Sequence, residues 1–269
     1  MITIRSLPVR ACMLALAWGL AAGAAAQRAD APGEPYQPSV GQPGKDVVWV
    51  PTPQVLVDTM LDMAKLTPAD RLIDLGSGDG RTVVTAARRG APALGIELNP
   101  DLVRLARQRA EREGVGARAR FEQRDLFVQD LSKASVITMF LLTEINLKLR
   151  PKLLALAPGT RIVSNTFTMG DWSPDETRTV SRDQGCDDAW CTAHLWIVPA
   201  RVAGTHRLRG GTLQLEQTYQ KLTGTLVDGA RGVPVSGRVS GTEVELDVAG
   251  RTVRGSMRGD RMVWDGAAG

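Results

Sequence analysis

Three carboxylates, Asp74, Glu97 and Asp125, stand at or just beyond the ends of short apolar runs, and the first opens the segment Asp74-Leu75-Gly76-Ser77-Gly78-Asp79-Gly80. Each run reads as a strand, which puts the three acids at the sheet edge where open parallel sheets take their ligands. Glycine lets the backbone turn sharply and come close to a bound group. The spacing here is G-x-G-x-G, and Arg81 stands where the dinucleotide fingerprint needs its third glycine. An acid at Asp74 repels phosphates, whereas a cation without phosphate suits an acidic mouth. Glu97 is placed to accept two hydrogen bonds from ribose hydroxyls. Asp125 is placed to bond an adenine amino group, with Leu126 and Phe127 beside the ring.

An adenosine that carries a sulfonium meets all these demands. The expected cofactor is therefore S-adenosylmethionine, ahead of a nicotinamide dinucleotide or a vestigial site. The expected binding set is Asp74, Gly76, Ser77, Gly78, Asp79, Gly80, Glu97, Leu98, Asp125 and Leu126. Singly, a glycine loop or an acid after a strand is common. Three acids after three consecutive strands, joined to this glycine spacing, are not.

The elements that must position these residues follow from hydrophobic periodicity. Thr52-Pro53 reads as an N-cap and first helical residue, opening a helix to about Lys65. Strands are expected at 71–75, 93–98, 118–123, 135–142 and 160–166, with helices after the glycine loop, over 101–113 and over 147–157. Strand and helix in alternation imply an α/β fold: a mostly parallel, Rossmann-like sheet covered on both faces. Extended segments at 177–182 and 194–198 are joined by a turn and imply an antiparallel hairpin at one edge. From about Thr205 the helical period vanishes. Alternating stretches such as 212–218, 243–248 and 251–257, punctuated by glycine, predict a small β-meander of roughly five strands.

Ahead of the fold, Arg5 and Arg10 precede an apolar run, Cys12 to Ala26, that ends in Ala24-Ala25-Ala26. At about 15 residues the run falls short of the roughly 20 that span a bilayer, so a cleaved signal peptide is expected ahead of a retained anchor. The mature chain is then expected to be exported, periplasmic and without a transmembrane helix. Residues 27–46, with four prolines and three glycines, read as a linker. The expected division is thus 1–26 signal peptide, 27–46 linker, 47–204 cofactor domain and 205–269 β-rich domain. Removing residues 1–26 takes two arginines and no acid from a net charge of +4, leaving +2. No basic stripe interleaved with aromatics appears, so no nucleic-acid partner is expected. Cys186 and Cys191 read first as a disulfide in an oxidising compartment. A metal site that adds His194 lacks a fourth ligand, and two free thiols are the remaining alternative; otherwise no metal is expected.

Val50-Pro51-Thr52-Pro53, Ile73 to Arg81 and Gly95-Ile96-Glu97-Leu98-Asn99-Pro100 together resemble class I S-adenosylmethionine-dependent methyltransferases. Arg124-Asp125-Leu126-Phe127, Phe140-Leu141-Leu142-Thr143 and Leu147 to Leu153 narrow the resemblance to the group that contains the ATP synthase c-subunit lysine methyltransferases. The likeness covers residues 47 to 175. The resemblance implies methyl transfer to a protein lysine or another amine. Acceptor-side candidates are Phe140, Thr143 and Glu144 after the fourth strand and Asn165 with Trp172 after the fifth; Phe140 also reads as core, Glu144 as a solvated helix start and Trp172 as loop packing. The whole layout is also similar to exported bacterial proteins in which a His-Asp pair takes the place of Asn165-Thr166, a departure that bears on turnover. The competing reading is an exported cofactor-fold binding protein with little or no turnover.

Overall fold

The computed structural model describes residues 36–44, 48–187, 189–208 and 210–265. The expected signal peptide and most of the expected linker lie outside these residues. The first sheet is built from α1 (Gln54–Met63), β1 (Leu72–Leu75), α2 (Arg81–Arg88), β2 (Ala93–Glu97), α3 (Pro100–Arg112), β3 (Ala119–Gln123), β4 (Val136–Met139), α4 (Thr143–Leu154), β5 (Arg161–Asn165), β6 (Glu176–Thr179) and β7 (Thr192–Ile197). Its strand order is β3-β2-β1-β4-β5-β7-β6. The first five strands run parallel, and β7 enters antiparallel between β5 and β6. The chain leaves β1 in one direction and returns to its other side at β4, which creates the switch point where such sheets open a crevice.

All four residues of β1 are buried because both faces of the sheet are covered. Alternation sends Leu72 into the core shared with α1, α2 and α3, and Ile73 and Leu75 into the opposite core beside α4. Asp74 shares the face of Leu72. In α3, Asn99 caps the first turn by accepting hydrogen bonds from the Asp101 and Leu102 amides at 2.8 and 3.4 Å.

Two boundaries differ from the sequence reading. Helix α1 starts at Gln54 and Thr52 does not cap it; the Thr52 hydroxyl accepts instead from Asn165 Nδ2 at 3.3 Å. Helix α4 starts at Thr143, because the apolar run Phe140-Leu141-Leu142 leaves the sheet rather than extending β4.

The second sheet is a meander of seven strands, not five: β8 (Gly204–Leu208), β9 (Gly211–Thr218), β10 (Lys221–Asp228), β11 (Arg231–Ser240), β12 (Glu243–Val248), β13 (Arg251–Arg258) and β14 (Arg261–Trp264). Alternate residues such as Leu213, Leu215, Val235, Val244 and Leu246 form its core. The expectation of five fell short by two, and the alternation is weakest in β11, where arginine, serine, glycine and proline interrupt it. The two sheets join through Tyr219, which stacks on Trp172 with ring centroids 5.9 Å apart, and through Arg238 with Asp175 at 2.7 Å. No helix among the described residues is long and apolar enough to cross a membrane.

Candidate functional site

Over the carboxyl ends of β1, β2 and β4 lies a cavity of about 380 Å³, within the ~300–1,000 Å³ range of small-molecule sites. Its wall includes Asp74, Gly76, Ser77, Gly78, Asp79, Glu97, Leu98, Asp125, Leu126, Phe127 and Phe140. The loop after β1 adopts the left-handed backbone at Gly76, Gly78 and Gly80, with φ of +74°, +52° and +79°. Packing adds a second reason for glycine at two of these positions. A Cβ on Gly78 would meet Trp49 Nε1 at 2.6 Å, and one on Gly80 would meet Ala106 and Phe121 at 2.7 Å. Gly78 thus keeps Trp49 over the loop, while Gly80 lets α2 pack on its neighbours.

The acids behave differently from one another. Glu97 is anchored by three backbone donors: Leu98 and Asn99 amides reach Oε1 at 2.8 and 2.9 Å, and the Gly78 amide reaches Oε2 at 2.9 Å. A carboxylate offers about four lone-pair sites, so Glu97 retains capacity on the cavity side. Asp74 is buried and receives one hydrogen bond, from Thr138 Oγ1 to Oδ1 at 2.7 Å, across the β1–β4 register. Desolvation by burial pushes its carboxyl up to about 7; the Thr138 bond opposes the rise, and the nearby Glu97 and Asp79 charges reinforce it. A cation entering the cavity would restore the charged form. Among the described residues no ion pair does so. Asp125 Oδ1 accepts from the Phe127 amide at 2.9 Å, which fixes the turn after β3.

Asp79, expected in the binding set, lines the cavity with its carboxylate engaged by two guanidinium groups. It forms ion pairs with Arg81 at 2.8 Å and Arg109 at 2.7 Å. Burial works against its charge, but the Arg81 hydrogen bonds and both guanidinium charges outweigh burial and hold Asp79 below the usual carboxylate range. Arg81 also donates to the Thr52 carbonyl at 2.9 Å, so the group ties the glycine loop to the segment before α1.

Some site expectations are corrected. Gly80 lies behind the loop and does not line the cavity. Thr143 and Glu144 open α4 between the lining residues Leu141 and Ile145 without lining the cavity themselves. Trp172 is fully buried between Trp196 and Tyr219, where the sheets join. Asn165 is fully buried and reaches the cavity only through Thr52. Phe140, read also as core, is half-buried and lines the cavity. As expected, Cys186 and Cys191 form a disulfide.

The sequence reading missed Trp49 and the stretch Gln42-Pro43-Gly44, all at the cavity wall. The latter belongs to the segment read as linker: Trp49 pairs back on it, its amide donating to Gln42 O at 3.0 Å and its carbonyl accepting from the Gly41 amide at 2.8 Å. Trp49 stands beside the Pro-Thr-Pro motif in a chain with six tryptophans, the one signal that could have marked it.

Residues 74–176 match the ANTKMT methyltransferase domain. A protein-lysine N-methyltransferase of Saccharolobus islandicus is 44% identical over 133 residues, 48% of this chain and 83% of that protein. The ATP synthase c-subunit lysine N-methyltransferase of Mus musculus is 40% identical over 151 residues, and the match spans 56% of each chain. Among solved structures, an RNA methyltransferase from Salinibacter ruber in complex with S-adenosyl-L-homocysteine is 46% identical, with a TM-score of 0.52, over 57% of this chain and 96% of that one. The cavity fits the cofactor these relatives imply: an anchored Glu97 for hydroxyls, and a buried Asp74 that has no counter-charge among the described residues. The chain belongs to the family of the ANTKMT methyltransferase domain and is an S-adenosylmethionine-dependent methyltransferase.

Proposed function

We propose that this enzyme methylates a lysine ε-amine on a protein, and that it does so after export. The identity to the Saccharolobus protein-lysine N-methyltransferase, spread over most of that protein's length, carries the acceptor reading. The Cys186–Cys191 disulfide supports an oxidising compartment. When bound, S-adenosylmethionine supplies a methyl group on a sulfonium that an uncharged amine can displace onto its nitrogen.

This chain's own residues bind and orient. Glu97 accepts from the ribose hydroxyls, Asp74 faces positive charge, and Leu98 and Leu126 flank the adenine beside Asp125. Gly76 and Gly78 allow the close backbone approach, and Asp79 with Arg81 and Arg109 keeps the loop in shape. Trp49 covers the loop and excludes water, which matters because orientation and dehydration supply much of the acceleration in direct displacement. Thr52, held by Asn165, lines the same wall.

The test is a labelled methyl-transfer screen with three acceptor pools: envelope proteins, cytosolic proteins and RNA. Label on lysines of envelope proteins is the expected result. Label on RNA alone favours the second reading, which the Salinibacter relative motivates. Cofactor binding by calorimetry with no label in any pool favours the exported binding protein with little turnover.

A further inference from the structure

We propose that Phe140, Phe167 and Trp190 form the subsite that receives the acceptor's amine-bearing side chain, and that the Cys186–Cys191 disulfide sustains the subsite by holding Trp190 in it. The inference rests on the amine-acceptor reading above.

Phe140 follows β4, Phe167 follows β5 and Trp190 precedes β7, three neighbouring strands of the first sheet. Because β7 runs antiparallel, its start lies at the same edge as the ends of β4 and β5. The ring centroids stand 5.7 Å apart for Phe140 and Trp190, 5.7 Å for Phe167 and Trp190, and 6.1 Å for Phe140 and Phe167. All three side chains are half-exposed, in a chain with only 4% aromatic residues. Phe140 also belongs to the cofactor cavity, so the aromatic surface continues directly from it.

One ring is held there at a cost and another by a covalent link. Phe167 follows Thr166, a β-branched residue with φ +60°, and the Phe167 amide donates to Asn165 O at 2.7 Å across that tight turn. Such backbone is unfavourable and persists only where its surroundings enforce it. Here the Thr166 amide donates to Thr192 O at 2.7 Å, and the Thr166 hydroxyl donates to Asn165 Oδ1 at 2.8 Å. Trp190 sits inside the loop closed by the disulfide, whose two cysteines are buried. That loop lies beyond the residues matched by the family domain, so the disulfide and Trp190 come from outside the shared cofactor core. The chemistry suits an amine on an alkyl stem: ring faces attract an ammonium, and methylenes pack against the rings while the charged head stays wet.

The experiment titrates the full chain with Nα-acetyl-lysine methylamide, and with the norleucine analogue as neutral match, following tryptophan indole signals by nuclear magnetic resonance. The Trp190 signal, assigned from Trp190→Phe, should move with the lysine probe and move less with norleucine. Trp190→Ala and Phe167→Ala should each raise the lysine probe's Kd roughly three- to thirtyfold, the range a cation–aromatic contact commands. The paired Cys186→Ser and Cys191→Ser variant should weaken the probe in the same direction, Trp190→Phe should retain most of the affinity, and cofactor Kd should hold throughout. Absence of probe binding to the native protein, equal binding of norleucine, or an unchanged Kd in both alanine variants overturns the proposal. If the probe binds as expected while no lysine is ever methylated, the subsite stands and the lysine-transfer reading fails.

Discussion

Strand β1 has an aspartate just before its amino end and another near its carboxyl end, and the two are treated in opposite ways. Asp70 accepts from the Thr67 amide at 2.8 Å, the Thr67 hydroxyl at 2.9 Å, the Ser135 hydroxyl at 2.7 Å and the Arg161 guanidinium. Burial opposes its charge, but the Ser135, Arg161 and Thr67 hydrogen bonds outweigh burial and keep Asp70 below the usual carboxylate range. Among the described residues Asp74 has Thr138 alone as a hydrogen-bond donor, and it rises to about 7. The sheet neutralises an acid where only stability is at stake. It leaves one uncompensated where a ligand brings the counter-charge, which is how perturbed groups come to mark functional edges.

Removing the two carboxylates should therefore do opposite things. Asp70→Ala removes the partner of the partly buried Arg161 and the acceptor of the Thr67 and Ser135 bonds, and should cost about 2–3 kcal/mol of stability, the scale of lost hydrogen bonds to a charged group, read by denaturant unfolding. Its cofactor Kd, measured where the variant is still folded, should stay within about twofold. Equal losses of affinity at Asp70 and Asp74 would erase the distinction. Asp74→Asn should weaken the cofactor by roughly 2 kcal/mol, the scale of one hydrogen bond to a charged group, by calorimetry. Without ligand the same variant should unfold at higher denaturant than the native protein above pH 7, because it no longer carries a buried, unpaired charge.

The contrast also shows what the sequence could and could not convey. Asp74, Glu97 and Asp125 were legible as one constellation because strands place their ends together, and the apolar runs before them are short and continuous. Asp79 was read only as part of the glycine loop. Its partner Arg109 lies 30 residues away on α3, and no local pattern reveals that the two meet. Trp49 and Trp190 escaped for the same reason, since what each covers is set by chain brought from elsewhere. Periodicity fixed the alternation of β1 to β5 well, yet it misplaced the start of α4, where an apolar run continued past the sheet. In the second sheet, a strand such as β11, interrupted by arginine, glycine and proline, carries little alternation, and the expected number of strands fell two short.

Loop shape can be separated from charge at Gly78. Alanine there must adopt φ +52° and displace Trp49, with 2.6 Å between the new Cβ and Nε1. The left-handed backbone alone costs about 1–2 kcal/mol. Gly78→Ala should therefore weaken the cofactor by roughly that amount while leaving Asp74's titration in place. A variant that binds normally would mean that Trp49 is not part of the site.

The smallest effect is the most diagnostic, because it isolates one proton. In the folded, ligand-free protein Asp74 titrates near 7, raised from an ordinary value of 3.8. The folded state thus holds its proton more tightly than the unfolded chain does. Stability is fully present below about pH 4 and declines as pH climbs to 7, then stays flat as far as this group is concerned. Cofactor binding runs the other way, since a cation prefers ionised Asp74. Between pH 6 and pH 8 the ionised fraction rises about tenfold for a group titrating near 7, so the Kd should tighten by about tenfold, or roughly 1.4 kcal/mol. The ligand titrates as well, and subtracting the profile of Asp74→Asn removes that contribution. Thr138→Val sharpens the measurement: losing the one hydrogen bond that favours the carboxylate should move the midpoint upward and leave the limiting affinity at high pH nearly unchanged. A pH profile identical in native protein and Asp74→Asn would show that Asp74 does not titrate with binding over this range, and the difference between the two ends of β1 would then be one of geometry, not of a movable charge.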